Sequence, residues 1–453
     1  MSTGEETMSK EHQATMRKIN LRILPFLMLL YLIAYIDRSN ISVAALGMNA
    51  DLGLTSRMYG LAAGLFFLTY IIFEVPSNVA LTKFGARRWI ARIMISWGLV
   101  AMGMAFITSA YQLYGMRLLL GAAEAGFTPG IIYYLARWYP SQERAHAMSF
   151  FYIGAALASV IGLPLSGLLL HADGALGVAG WRWVFFVEGL PAVLLGFVVL
   201  WFLPDRPSDA SWLSQAEAYE LERKIDAEQG TGQSEHKTGW QTAFRNGNVW
   251  LLAAFWLLQA FGTIGITLFM PLIVRSISSG DDLAISLLSA VPFIAACIFM
   301  FFNGRHSDST RERAYHLGVP LTLAGLLLLA AVYIGNAHLS YVLIVLSVGL
   351  NWAVIPIFWA VTTEYVSGLT AAVSIALINA LANVAGLVLP PAIGWIKDTT
   401  NSYDLALTLV SAALIMGGLL GISLAKKLAA PKGHQTIIDI RNSADPVGSS
   451  KRH

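Results

Sequence analysis

The chain has 453 residues, of which 56% are hydrophobic and 13% charged, against about 25% charged in ordinary soluble proteins. That balance excludes a soluble globular protein and implies a polytopic one embedded in lipid. The net charge of +3 is small and the basic residues are scattered between apolar segments, so no nucleic-acid partner is expected; the single cysteine, Cys297, excludes a disulfide framework and a cysteine metal site.

Residues 1–19 form a polar N-terminal tail. The first apolar run is too long for a signal-peptide core and has no small-residue cleavage pattern, so it stays as a span. Twelve apolar segments of spanning length follow, at about 20–47, 57–81, 89–108, 111–137, 145–171, 183–203, 249–275, 284–303, 316–335, 340–365, 371–396 and 404–425. The polar stretch 204–248, whose charged segment Gln215 to Gln229 reads as a surface helix, divides the spans into two six-helix halves, 20–203 and 249–425. Residues 426–453 turn polar, with prolines, glycines and serines, and read as a disordered end.

Basic residues set the orientation. One side collects Lys18, Arg22, Lys83, Arg87, Arg88, Arg144, Arg305, Arg311 and Lys426, the other only Arg57, Arg182, Arg275 and Lys397, so both termini and the central loop are expected in the cytoplasm. The loop after the second span (Asn78, Thr82, Lys83, Gly85, Arg87, Arg88) echoes the one after the eighth (Gly304, Asp308, Arg311, Glu312, Arg313). Two six-span repeats around a central site are the architecture of many secondary transporters, which expose that site to each side in turn. No glycine-rich nucleotide loop is present, so the expected protein is not an enzyme or an ATP-driven pump. The nine histidines all fall in loops, tails or span ends, which leaves any proton-carrying work to carboxylates.

Two charged constellations interrupt the apolar spans. Asp37 and Arg38 lie inside the first, flanked by Tyr35 and Asn40. Each charge at the centre of a spanning helix costs roughly 2.5–3.5 kcal/mol, so the pair must face a wet cavity or partner helices. In the fourth, Arg117 and Glu124 share a helical face about 10 Å apart along the axis, with Gly121 between them to admit a close neighbour. With the termini inside, Asp37 and Glu124 both fall near mid-depth, and a single cavity with two carboxylates and two guanidiniums is expected. Structural salt bridges are the alternative. In the second half Gln259 and Thr263, and Asn379 and Asn383, are pairs four residues apart; with Asn351, and with Tyr70 in the first half, they are candidates for contact with a substrate, although interhelical hydrogen bonding also explains each. Trp352 and Trp359 are candidate lining, and Glu74 and Glu364 sit towards the cytoplasmic ends. Gly154, Gly162, Pro164 and Gly167 make the fifth span suited to a moving interface.

The stretches Tyr35 to Asn40 (YIDRSN), Phe73 to Asn78 (FEVPSN), Phe84 to Arg92 (FGARRWIAR), Arg117 to Pro129 (RLLLGAAEAGFTP), Gly180 to Pro191 (GWRWVFFVEGLP), Ile375 to Asn379 (IALIN) and Gly394 to Asp398 (GWIKD) together resemble the major facilitator superfamily. Within it they are similar to the anion:cation symporter family, whose members carry tartrate, phthalate, hydroxyphenylacetate and sugar acids. The resemblance covers about 20–425. It implies an all-α twelve-helix alternating-access fold importing a small organic carboxylate with protons, driven by the proton gradient without a cofactor, in a bacterial inner membrane and as a monomer. By position, Asp37 and Glu124 resemble the family's proton-carrying carboxylates, Arg38 and Arg117 its anion-site arginines, and Tyr35 and Tyr70 its site tyrosines. Two departures stand out. Thr82 occupies a position where the superfamily loop usually has aspartate, and Thr362, Thr363 and Glu364 replace a more apolar, proline-containing stretch before Ser367 and Gly368. An antiporter or facilitator of the same fold, and a membrane receptor or membrane-embedded enzyme, are the rival readings.

Overall fold

The computed structural model describes residues 2–230, 244–365 and 369–429. Of the end expected to be disordered, 426–453, the first four residues continue the last helix to Ala429; the remainder, and Ser367 and Gly368, lie outside the described residues. Among the described residues twelve helices are long and apolar enough to cross a membrane: α1 Glu11–Asp51, α2 Ser56–Phe84, α3 Ala86–Phe106, α4 Ala110–Trp138, α5 Gly154–His171, α6 Gly180–Phe202, α7 Gly247–Ile277, α8 Asp282–Thr310, α9 Ala314–Tyr333, α10 Ala337–Thr363, α11 Val373–Thr400 and α12 Asp404–Leu424. Helices pair most of their backbone groups internally, which meets the demand that lipid places on the chain.

The helix α1 starts well before the apolar run. Its polar first turns are held by the surface helix Gln215–Gly230, where Glu217 accepts from Lys18 Nζ at 2.7 Å and from Thr15 Oγ1 at 3.2 Å. Nearby, Trp138 stacks on Trp212 at 5.7 Å and the Arg22 guanidinium lies 5.1 Å from the Trp212 ring, so the first part of the central segment docks beneath the first six helices. Close by, Asp205, just beyond α6, accepts the backbone N–H of Arg87 at 2.8 Å, putting a carboxylate against the loop in which Thr82 replaces the usual aspartate. In the second half Asp308 pairs with Arg313 at 2.6 Å.

Three spans are irregular where the polar residues cluster. The fourth is broken after Glu124: Ala125 leaves the helical region (φ −53°, ψ 131°), and Gly126 is left-handed (φ 86°, ψ 0°) where any β-carbon would lie 2.3 Å from Ser77 Oγ. The seventh widens into a π-helical turn at Phe261–Ile266, a device that concentrates at functional sites because it displaces side chains from the regular face. The tenth is interrupted at Val354, between segments that end at Ala353 and restart at Ile355.

The two halves meet along α2 with α11, α5 with α8, and α1 with α7. These seams are tightest at the end of the bundle opposite the termini. A β-carbon on Gly60 would lie 2.1 Å from the Pro390 carbonyl, one on Gly64 2.8 Å from that of Leu387, and one on Gly394 2.1 Å from that of Ser56. Here α2 and α11 pack backbone against backbone. Gly167 makes a similar approach to Ser286 of α8, which puts the small-residue row of α5 at a boundary between halves. Hydrogen bonds cross the seams at the same end: Asp398 accepts the N–H groups of Ser56 and Arg57 at 2.9 and 2.8 Å, Tyr59 donates to the Leu268 carbonyl at 2.6 Å, and Arg275 donates to that of Leu46 at 2.9 Å. Asp398 thereby caps a helix of the other half, its negative charge placed against the positive end of α2.

Candidate binding site

Between the halves lies a cavity of about 160 Å³. Its lining runs from Leu268 towards the end that carries the termini, reaching Tyr31, Ala155, Trp256 and Trp359. Of the residues singled out in the sequence, Tyr35, Arg38, Tyr70, Gln259, Asn379 and Asn383 face it, together with Thr263, Trp352 and Trp359. Asp37, Glu124, Arg117 and Asn351 do not. They stand behind the wall, each no more than 2% exposed. Among the described lining residues Arg38 is the one charged group, so the expected single cavity with two carboxylates and two guanidiniums is reduced to one guanidinium.

The arginine that shares a helical face with Glu124 is not its partner. Glu124 forms its ion pair with Arg38 of α1 and not with Arg117. Arg117 lies about two turns away along the same helix and turns towards α2, where its Nε donates to the Ala62 carbonyl at 3.2 Å and its guanidinium rests 4.8 Å from the Phe66 ring. Glu124 closes the first segment of the broken α4, a helix C-terminus that repels a carboxylate, so a cation from another helix is what holds it. Gly121, one turn earlier, lets α2 approach until its own missing β-carbon would sit 2.1 Å from the Phe66 carbonyl.

Arg38 is held as a platform. Tyr70, Phe66 and Tyr35 place their rings 5.3, 5.4 and 5.5 Å from its guanidinium, and its side chain stays 22% exposed. One nitrogen donates to Glu124 while Nε has no partner. A planar fork held by Glu124 on one side and open in part to a cavity matches a carboxylate.

Across the cavity the second half offers neutral groups. Gln259 Nε2 donates to Thr263 Oγ1 at 2.6 Å and to the Asn351 carbonyl at 3.3 Å, and Asn351 Nδ2 donates to Thr263 Oγ1 at 3.1 Å. Asn351 thus braces the site from behind. Asn383 Nδ2 and Trp352 Nε1 are buried donors without partners, and both residues face the cavity. An aromatic stack of Trp256 on Phe358, 4.5 Å apart, with Trp359 edge-on at 5.2 Å, completes that wall.

The sequence reading missed two partners. Trp97 of α3 donates to Asp37 Oδ2 at 2.6 Å, which explains how that carboxylate is held away from the cavity. Glu188 of α6 is 3% exposed and accepts from Ser166 Oγ at 2.7 Å. An acidic residue inside the predicted span 183–203 was the available signal.

Residues 27–390 match the family model described as Major Facilitator Superfamily. The chain belongs to that superfamily. It is accordingly a multi-pass membrane transporter and not an enzyme. A protein of Agrobacterium vitis assigned as a tartrate transporter is 42% identical over 423 residues, 93% of each chain. The inner membrane transport protein RhmT of Escherichia coli is 36% identical over 406 residues, 89% of this chain and 93% of that one. Among solved structures, a bacterial homologue of the human lysosomal transporter Spinster, in an inward-facing and unoccupied conformation, superposes with a TM-score of 0.69 at 18% identity, covering 89% of this chain and 95% of that one. That likeness is one of fold.

Proposed function

We propose that this protein is a proton-coupled symporter importing a small organic carboxylate, of the kind carried by the anion:cation symporter family. The observation that carries the reading is the lone guanidinium of Arg38 in the described cavity wall, with its carboxylate partner Glu124 buried directly behind it. A cation that is the one charged lining group selects anions. A carboxylate that shares that cation from the protein side decides how much of it a ligand receives. When Glu124 takes up a proton its hold on Arg38 weakens and the fork is released to the substrate; when the proton leaves, Glu124 reclaims Arg38 and the anion is expelled. Asn383, Asn379 and Gln259 read the neutral end of the ligand, and the identity to a tartrate-transporter relative makes hydroxylated dicarboxylates the first acids to test.

In this reading the halves are 20–203 and 249–425, joined by the cytoplasmic segment 204–248, with both termini in the cytoplasm of a bacterial inner membrane and the monomer as the working unit. The closed seam then lies on the outer face and the cavity is accessible from the cytoplasm. The test is uptake into proteoliposomes. Wild type should accumulate tartrate or a related acid when the outside is acid and lose that accumulation with a protonophore. Equilibration without accumulation, or exchange without net uptake, would replace symport by facilitation or antiport.

A further inference from the structure

Behind Asp37, away from the cavity, the structure holds a second acidic group that the Arg38 and Glu124 couple does not use. Glu188 projects from α6 into the contact between α1, α5 and α6. Ser166 of α5 donates to its Oε1, while Oε2 is buried and has no partner. Asn40 of α1 lies against Glu188 and also donates to Asp37 Oδ1 at 3.4 Å, so one amide stands between two buried carboxyl groups. The charged and titratable groups around the two are few. Asp37 faces Trp97 of α3 and lies near Glu124 of α4, which is committed to Arg38; Glu188 faces Asp37, Asn40 and Ser166. Among the described residues neither Asp37 nor Glu188 has an ion-pair partner.

Two carboxylates this deep with no cation between them cannot both be ionised without a desolvation cost of several kcal/mol each. Donor counting says which one carries the neutralising hydrogen. Asp37 accepts two N–H bonds, from Trp97 and Asn40, as an ionised group does. Glu188 takes a hydrogen bond of regular geometry from Ser166 alone, has Asn40 close by and leaves Oε2 without a partner, which suits a protonated carboxyl whose O–H turns towards Asn40 Oδ1 or Asp37.

We propose that Glu188 and Asp37, bridged by Asn40, form a proton-holding pair outside the substrate cavity, with Glu188 as its protonated member, so that the transporter carries a proton site the anion never touches. That this proton is moved in the transport cycle rests on the symport reading; that it is bound does not.

The bound proton is tested by infrared difference spectroscopy of the reconstituted wild type. A protonated-carboxyl C=O band at neutral pH should be absent from Glu188→Gln, whose amide keeps the Ser166 contact. Ser166→Ala, which retains Glu188, should shift the pH at which that band disappears. A band unchanged in both variants overturns the assignment. Coupling is tested in proteoliposomes. If wild type shows gradient-driven uptake, loss of one coupled proton in Glu188→Gln should lower the limiting accumulation about tenfold under a pH gradient of roughly one unit, with substrate affinity preserved. Unaltered accumulation in that variant makes the proton structural and refutes its transport. If wild type itself is not proton-driven, the symport reading fails while the infrared result still decides the pair.

Discussion

The exchange of Arg38 between Glu124 and a ligand makes a measurable demand on stability. In Arg38→Ala, Glu124 is left 1% exposed at a helix end with its cation gone. Breaking a buried pair from one side typically costs 3–5 kcal/mol, and since Arg38 keeps 22% of its side chain open to the cavity we expect the lower end, about 3 kcal/mol. Glu124→Gln alone should cost less, about 1–2 kcal/mol, because the guanidinium it leaves behind reaches water in the cavity and lies among three aromatic rings. The double variant should then be more stable than Arg38→Ala, since nothing charged is stranded. The coupling energy from the cycle should fall between about 1 and 3 kcal/mol. Unfolding in mild detergent, followed by intrinsic tryptophan fluorescence against a denaturant, gives all four values. Costs that add to within about 0.5 kcal/mol would show that the two groups are not energetic partners and would remove the basis for competition between Glu124 and the anion.

Binding follows from the same platform: Arg38→Ala should weaken the substrate by about 2–5 kcal/mol, or roughly 30-fold to over 1,000-fold in Kd, by calorimetry. Glu124→Gln should retain binding and exchange but lose accumulation driven by a pH gradient; full proton-driven accumulation in a well-folded variant would sink its coupling role. Asn383→Ala should cost about 0.5–1.5 kcal/mol and alter preference among hydroxylated acids, which a competition panel reads directly. Asp398→Ala removes the acceptor for two N–H groups across the seam, so a cysteine placed at Thr267 in a Cys297→Ser background should label faster from the face opposite the termini. At the surface helix, the ammonium of Lys18 and the N–H of Ser214 hold the Glu217 carboxyl down to about 2. A depressed acid contributes its stabilisation above its unfolded value of about 4.3 and loses it as pH falls towards 2. The pair is exposed, so its contribution is small. Lys18→Met should make trypsin cleavage at Arg223 and Lys224 faster near neutral pH, where the Glu217 carboxyl is ionised; an unchanged rate would show that the pair does not hold the surface helix.

Charges were the legible part of the site. An ionised group inside an apolar run is so costly that Asp37, Arg38, Arg117 and Glu124 identify themselves from sequence alone, and pairs of amides four residues apart led to Asn379 and Asn383 on the cavity wall. Partnership was not legible. Helical spacing relates residues on one span, which suggested Arg117 for Glu124, whereas the observed partner comes from another span through a tertiary contact. The break at Ala125 and Gly126 was equally hidden, because the run stays apolar across it and a lone glycine in a span signals close packing as readily as a left-handed turn. Asn351 was placed in the site by its depth, yet depth says nothing of azimuth, and it turns to Thr263 instead. The twelve spans were recoverable because lipid imposes length and hydropathy on each one separately; the extension of α1 beyond the apolar run was not, because it depends on Glu217, more than 190 residues away.

The seam of Gly60, Gly64 and Gly394 has a practical use. Because helix backbones meet there with no side chains to rearrange, one added methyl group acts as a wedge with nowhere to move, and it blocks a single member of the conformational cycle while leaving the cavity residues unaltered. Gly60→Ala or Gly394→Ala would therefore populate the alternate state by steric exclusion, without a ligand or a cross-link. Such arrested proteins are ready-made antigens for raising binders that recognise one face of the carrier only.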